Sequence, residues 1–190
     1  MIIAIVGKTN SGKDSIAKRI EQIWGIPMLV SYTTRPKRDY EVNGKEHWFV
    51  TPEKMALMRK SKKVLAYTRN DTTGIEYCAM HDFGDKPIVY IINPDGIKWL
   101  KEHSQYNQGL TVIYVHTDED IIINRGIARG DNPDVLNTRL ASEKQEFDTF
   151  YTNKEFDYCI SNNAGVDALN IQVDKIMKEL GFTEKGRYYE

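Results

Sequence analysis

Gly7-Lys8-Thr9-Asn10-Ser11-Gly12-Lys13 sets two glycines with four residues between them and a lysine directly after the second. This spacing suits a polyphosphate. The glycines let backbone N–H groups turn inward around phosphate oxygens, and Lys13 brings a mobile cation to the far end of the chain of phosphates. The flanks agree: Ile2–Val6 reads as a buried strand and Lys13–Trp24 as a helix, whose N-terminus adds partial positive charge. Gly7, Asn10, Ser11, Gly12 and Lys13 are therefore the candidate ligands of a nucleotide's phosphates. Asp14 stands where many such loops carry a magnesium-binding Ser or Thr, and Ser15 follows it. Either residue can meet Mg²⁺ through water, or Asp14 can simply favour the helix N-terminus.

Two further groups of residues suit anions. Ser31-Tyr32-Thr33-Thr34-Arg35-Pro36-Lys37-Arg38 crowds hydroxyls and cations into one segment, and Pro36 keeps Arg35 extended. Arginine pairs well with phosphate because its guanidinium donates two parallel hydrogen bonds. Farther on, Arg125 and Arg129 share a helix face, and Arg139 lies on a next helix capped by Asn132 with Pro133 at its first position. Three arginines converging from a lid can neutralise a phosphoryl group in transfer. Taken singly, each group also fits a solvated surface.

The elements that must position these residues alternate in type. Ile2–Val6, Met28–Ser31, Ile88–Ile92, Thr111–Val115 and Asp157–Ser161 are short apolar runs suited to strands covered on both faces. Helices are predicted over Lys13–Trp24, Pro94–His103 with Asn93 as N-cap, Asp118–Ala128, and about Val166–Leu180 before Gly181. The expectation is an α/β fold of the P-loop NTPase type: a five-stranded parallel core sheet with an inserted subdomain and a small lid. The core covers about 1–34, 86–124 and 140–183, the inserted subdomain about 35–85, and the lid about 125–139. Within the insert, His47–Val50 and Val64–Tyr67 read as strands, and a short helix opens with Thr51 and Pro52.

Composition narrows the class. With 26 basic and 27 acidic residues the net charge is -1, which disfavours a whole-surface nucleic-acid binder. Ile2–Val6 is too short for a signal peptide or a membrane span, so no membrane partner and a cytoplasmic location are expected. Cys78 and Cys159 form neither a disulfide framework nor a metal spacing. The apolar share of 41% fits a globular domain.

Taken together, the phosphate loop, S-Y-T-T-R-P-K-R and E-V-N-G-K-E-H-W-F-V closely resemble the guanylate kinase family. The resemblance continues through Gly74-Ile75-Glu76-Tyr77, the R-x-x-x-R-G of Arg125 to Gly130, and Phe156-Asp157-Tyr158 with Asn162 and Asn163. It implies a nucleoside monophosphate kinase that moves the ATP γ-phosphoryl group to GMP or dGMP with Mg²⁺, acting on small-molecule nucleotides as a monomer or homodimer. It assigns the ATP phosphates to Lys13 and the loop backbone, and the acceptor nucleotide to Ser31, Arg35, Arg38 and Tyr77. Arg125 falls near the adenine, Arg129 and Arg139 at the transferring phosphoryl, and Asn162 and Asn163 near the ATP base.

The departures from the family pattern lie on the acceptor side. His47 replaces a phosphate-holding Tyr, and is read either as a phosphate contact when protonated or, preferably, as packing beside Trp48. Ala66 takes the place of a Glu that reads the guanine edge, and Asn93 that of an Asp near guanine and magnesium. Unpaired polar edges cost specificity, so a kinase with another (deoxy)nucleoside monophosphate acceptor is one alternative. The other is an inactive guanylate-kinase-like module that binds a phosphorylated ligand.

Overall fold

Five consecutive apolar residues, Ile2–Val6, form β1, and all of them are buried. Successive side chains of a strand point to opposite faces, so a strand buried throughout needs cover on both. In the computed structural model, which describes residues 1–39, 41–71 and 73–184, that cover comes from helices. The tail from Lys185 onward, for which the sequence offers no functional reading, lies outside those residues.

In chain order, β1 is followed by α1 (Lys13–Arg19), which runs into a π-helical turn at Ile20–Trp24 instead of remaining α-helical throughout. Next come β2 (Tyr32–Thr33), β3 (Trp48–Phe49), α2 (Pro52–Met58), β4 (Val64–Arg69) and β5 (Glu76–Met80). The rest of the chain forms β6 (Ile88–Ile91), α3 (Pro94–His103), β7 (Leu110–His116), α4 (Glu119–Ala128), α5 (Pro133–Thr152), β8 (Tyr158–Ser161) and α6 (Val166–Glu179).

The core sheet has the order β6-β1-β7-β8 and is parallel throughout. Ile2, Ala4 and Val6 pack with Ile97 and Leu100 of α3 and with Phe147 and Phe150 of α5. Ile3 and Ile5 face the other way, against Ile16 and Ala17 of α1 and Leu169, Val173 and Met177 of α6. Truncating fully buried Ile5 to Ala would cost about 2–5 kcal/mol. Because all four strands run the same way, the residues leaving their C-terminal ends meet at one edge. These are Gly7 after β1, Asn93 near the end of β6, Thr117 after β7 and Asn162 after β8.

The core sheet has four strands, not the five expected. Among the described residues, Met28–Ser31 makes one bridge, Met28 to Val89, supported by Leu29 N–H donating to Val89 O at 2.7 Å and Val89 N–H donating to Pro27 O at 3.0 Å. Two residues later the chain is claimed elsewhere: Trp48 N–H donates to Ser31 O, and β2 joins a second sheet. A segment shared between two sheets completes neither ladder.

That second sheet has the order β3-β2-β5-β4. Its β5 was not expected as a strand; Glu76–Met80 has no β-branched residue to announce it. It forms an antiparallel pair with β4, and Arg69 lies opposite Glu76 near the turn. α2 begins as its sequence suggests, with Thr51 Oγ1 accepting from Lys54 N–H.

α5 is 20 residues long, so it extends from the predicted lid deep into the core. Asn132 caps it by accepting from the N–H groups of Asp134 and Val135, and Leu136, Leu140, Phe147 and Phe150 form its buried face. Arg139, Glu143 and Glu146, spaced at four and three residues, form a polar stripe beside that face. Among the described residues, no helix is long and apolar enough to cross a membrane.

Candidate active site

The phosphate loop enters the left-handed backbone region at two positions, one filled by glycine and one by asparagine. Gly12 has φ 98° and Asn10 φ 53°, the left-handed region that side chains disfavour. A Cβ on Gly12 would lie 2.2 Å from Asn162 Nδ2, and one on Gly7 would lie 2.6 Å from Ser11 Oγ and 2.8 Å from Val115 O. Lys13 Nζ donates to the carbonyls of Gly7 and Lys8, each at 2.7 Å, so its ammonium folds back across the loop. Removal from water lowers its pKa to about 8, although Glu143 and Asp14 favour the charged form. Asp14 and Ser15 sit on the exposed first turn of α1.

Behind the loop, Asn162 is buried and donates to Ser11 O at 2.8 Å, and Thr117 Oγ1 donates to the same carbonyl at 3.0 Å. Arg125 Nη2 donates to Asn162 O at 2.8 Å. Arg125 Nη1 is buried and has no hydrogen-bond partner among the described residues. Asn163 stands apart, its Oδ1 accepting from Asp118 N–H at 3.1 Å. Thus Asn162 and Arg125 come together with the loop, and Asn163 caps the approach to α4.

Two more arginines approach the loop, Arg129 directly from the end of α4 and Arg139 through Glu143 from within α5. Arg129 Nη2 donates at 2.6 Å both to Asn10 Oδ1 and to Asp131 Oδ2. Arg139 Nε donates to Glu143 Oε1 at 2.8 Å, and Glu143 Oε2 accepts from Thr9 N–H at 2.9 Å.

The second anion-binding segment gathers around β2, β3 and β5. Arg35 forms a two-point pair with buried Glu41, at 2.7 and 2.5 Å, and its guanidinium lies over the Phe49 ring. Glu41 also accepts from the Arg38 N–H at 2.8 Å. The Arg35 bond holds the Glu41 carboxyl down at about 2, outweighing its burial. Arg38 is exposed, and its charge reaches Glu41, His47 and Asp131.

His47 does not pack beside Trp48. Neighbours along an extended chain face opposite ways, so Trp48 stacks on Tyr32 while His47 turns to Ser31 Oγ, 3.0 Å from its Nδ1. Its ring also meets the edges of Tyr77 and Phe49. Burial, then the Arg35 charge, lowers its pKa, so the ring is neutral at neutral pH.

Asn93 is occupied as a helix cap: its Oδ1 accepts from Gly96 N–H at 3.1 Å. Its Nδ2 points to Glu146 Oε1 at 3.5 Å, and the same oxygen accepts from Asp95 N–H at 3.1 Å. Burial pushes the Glu146 carboxyl up to about 7, with Asp95 and Glu143 adding repulsion. Ala66 is buried in the apolar core beside Leu65 and Ala79. Glu41, Asp131, Glu143 and Glu146 were absent from the candidates drawn from sequence. Only the i, i+4, i+7 spacing of Glu143 and Glu146 behind Arg139 gave a signal.

Comparison with known proteins gives a consistent picture. The family model described as guanylate kinase matches residues 1–180. A chloroplastic/mitochondrial guanylate kinase 2 of Oryza sativa is 30% identical over 87% of the chain, which spans only 59% of that longer relative. A guanylate kinase of Clostridium tetani is 25% identical, with 100% of this chain and 96% of the relative covered. The crystal structure of guanylate kinase from Anaplasma phagocytophilum superposes with a TM-score of 0.64 at 18% identity, covering 95% of this chain and 84% of that one.

Proposed function

The chain belongs to the guanylate kinase family, and on that premise we propose that it transfers the γ-phosphoryl group of ATP to GMP or dGMP, yielding ADP and GDP or dGDP. The observation that carries the reading is the contact between the phosphate loop and the lid arginines: Arg129 hydrogen-bonded to Asn10, and Arg139 linked to Thr9 through Glu143. Phosphoryl transfer asks mainly for alignment and for cations around the moving group, which is what such an arrangement supplies.

The residues fit ATP. The loop cradle leaves no room for a Cβ at Gly7 or Gly12, and the buried Arg125 Nη1 has no partner among the described residues. In this reading Gly7, Asn10, Ser11, Gly12 and Lys13 hold the phosphates, with Arg125 on the adenine side. Asn162 acts from beneath by fixing the loop, and Asn163 borders the base. Asp14 and Ser15 are the oxygen donors that α1 would offer to Mg²⁺, which when bound would screen the phosphate charge. Arg129 and Arg139 stabilise charge on the transferring group, and Ser31, Arg35, Arg38 and Tyr77 hold the acceptor phosphate, with neutral His47 positioning Ser31.

Residues 35–85 then act as the acceptor subdomain and 125–139 as the lid, the remainder being the core. Their closure excludes water and limits hydrolysis of ATP. We place the enzyme in the cytoplasm, as a monomer or homodimer acting on free nucleotides.

A different acceptor base is favoured by two observations: Ala66 is buried in the core, and Asn93 Oδ1 is already accepting from Gly96 N–H. The test is ADP production from Mg²⁺–ATP across a panel of ribo- and deoxynucleoside monophosphates. Turnover with GMP and dGMP alone supports the first reading. Preference for another base keeps the reaction and reassigns the acceptor. No turnover with any acceptor, despite ATP binding, points to a phospho-ligand binding module.

A further inference from the structure

A phosphate loop presents inward N–H donors and a lysine, a lining made for an anion. Here an anion from the chain's own α5 is already attached to it. Glu143 uses both carboxylate oxygens: Oε2 accepts from Thr9 N–H at 2.9 Å, and Oε1 accepts from Arg139 Nε at 2.8 Å. Its side chain is only 17% exposed, against 54% for Arg139. Its charge also reaches Lys13, where it favours the ammonium. One carboxylate thus touches, or acts on, three groups that suit a polyphosphate: a loop amide, the loop lysine and a lid arginine.

We propose that Glu143 is an internal stand-in for nucleotide phosphate, a latch that lowers ATP affinity and is displaced when the triphosphate enters. The proposal rests on reading Gly7–Lys13 as the ATP phosphate site. A carboxylate and a phosphate oxygen cannot occupy the same donors, and two anions side by side repel. Binding must therefore break the Thr9 contact, the Arg139 contact or both. The latch keeps Arg139 paired with a carboxylate, and wherever the Arg139 contact is the one that gives way, arrival of the triphosphate is coupled to release of the lid arginine.

The sign of the effect separates a latch from a structural brace. A brace, once removed, weakens binding; a latch, once removed, strengthens it. Glu143→Gln keeps the size and loses the charge, while Glu143→Asp withdraws the carboxylate by one methylene, too short to bridge both partners. Calorimetric titration without acceptor would measure binding of Mg²⁺–ATP and, separately, of metal-free tripolyphosphate to wild type and both variants. The expected result is a fall in Kd of about fivefold for both ligands in both variants, the scale of one partly exposed charged contact. Unchanged or weaker binding by the variants, with wild type still binding, overturns the latch and leaves the loop reading intact. Failure of the wild type to bind either ligand overturns both. Thermal unfolding of the variants, measured alongside, keeps a folding defect from passing as weak binding: a weaker binder that melts with wild type counts against the latch.

Discussion

The side-chain amide of Asn162, just past β8, donates to the carbonyl oxygen of Ser11 at 2.8 Å, tying the last core strand to the phosphate loop across 151 residues of sequence. The pair is buried, and the same Asn162 amide nitrogen lies where a Cβ on Gly12 would fall. Loop and anchor are therefore fitted to one another.

Replacing Asn162 with Ala leaves the Ser11 carbonyl with Thr117 as its side-chain donor and releases one side of the loop. Loss of a buried hydrogen bond costs about 1–3 kcal/mol. The expected outcome is a rise in the ATP KM of about tenfold, with a much smaller change in the acceptor KM. Steady-state kinetics with each substrate varied in turn checks it; equal rises in both would mean that Asn162 supports the fold at large.

Lys13 is the group whose charge the donor site most needs. Lys13→Ala is expected to lower kcat/KM by about 10²–10³. Its pKa of about 8 in the nucleotide-free protein also fixes a pH response. The ammonium is present below that pH and lost above it, so ATP affinity falls as pH rises through 8. Stability moves oppositely between about 8 and 10.5, because the unfolded chain binds the extra proton there. Titrating ATP affinity from pH 6.5 to 9.5 tests the first statement, and Lys13→Arg, charged throughout, should flatten the curve.

Local chemistry made much of this legible in the sequence. The loop glycines, the Asn93 and Asn132 caps and the buried run of β1 all depend on neighbours within a few residues. The loss of the expected fifth strand was not legible, because the path of Met28–Ser31 is decided by Trp48 drawing Ser31 into another sheet. Glu143 was hidden for a similar reason. A carboxylate on a helix reads as solvated surface, and its partner Thr9 lies 134 residues away.

Glu41 and Arg38 should separate stability from acceptor binding. Glu41 is buried against Arg35, so Glu41→Gln leaves a poorly compensated guanidinium and is expected to destabilise by about 3 kcal/mol. The carboxyl titrates near 2 in the folded protein, below its ordinary 4.5, so its contribution is present above pH 4.5 and lost as pH falls toward 2. Arg38 is exposed, and Arg38→Ala should leave the melting temperature within a few degrees while raising the acceptor KM far more than the ATP KM. A selective ATP effect of Arg38→Ala would contradict its assignment to the acceptor.

Glu146 gives the opposite pH sign from Glu41. Its carboxyl is raised from 4.5 to about 7 by burial, despite the Asp95 N–H bond, so the folded protein holds a proton that the unfolded chain has already released. Stability from this group is greatest below pH 4.5, falls as pH rises toward 7, and is level above. Allowing for partial solvent screening, the loss across that window is about 2 kcal/mol. Glu146→Gln is neutral at every pH and can still accept from Asp95 N–H, so it should remove this slope and gain on wild type as pH climbs. Urea unfolding of both proteins at pH 5 and pH 8 isolates the effect, since other carboxylates such as Glu41 cancel in the comparison. A wild-type advantage at pH 8 would mean that the ionised carboxylate is the form the fold prefers, held by Asp95 N–H and the Asn93 amide.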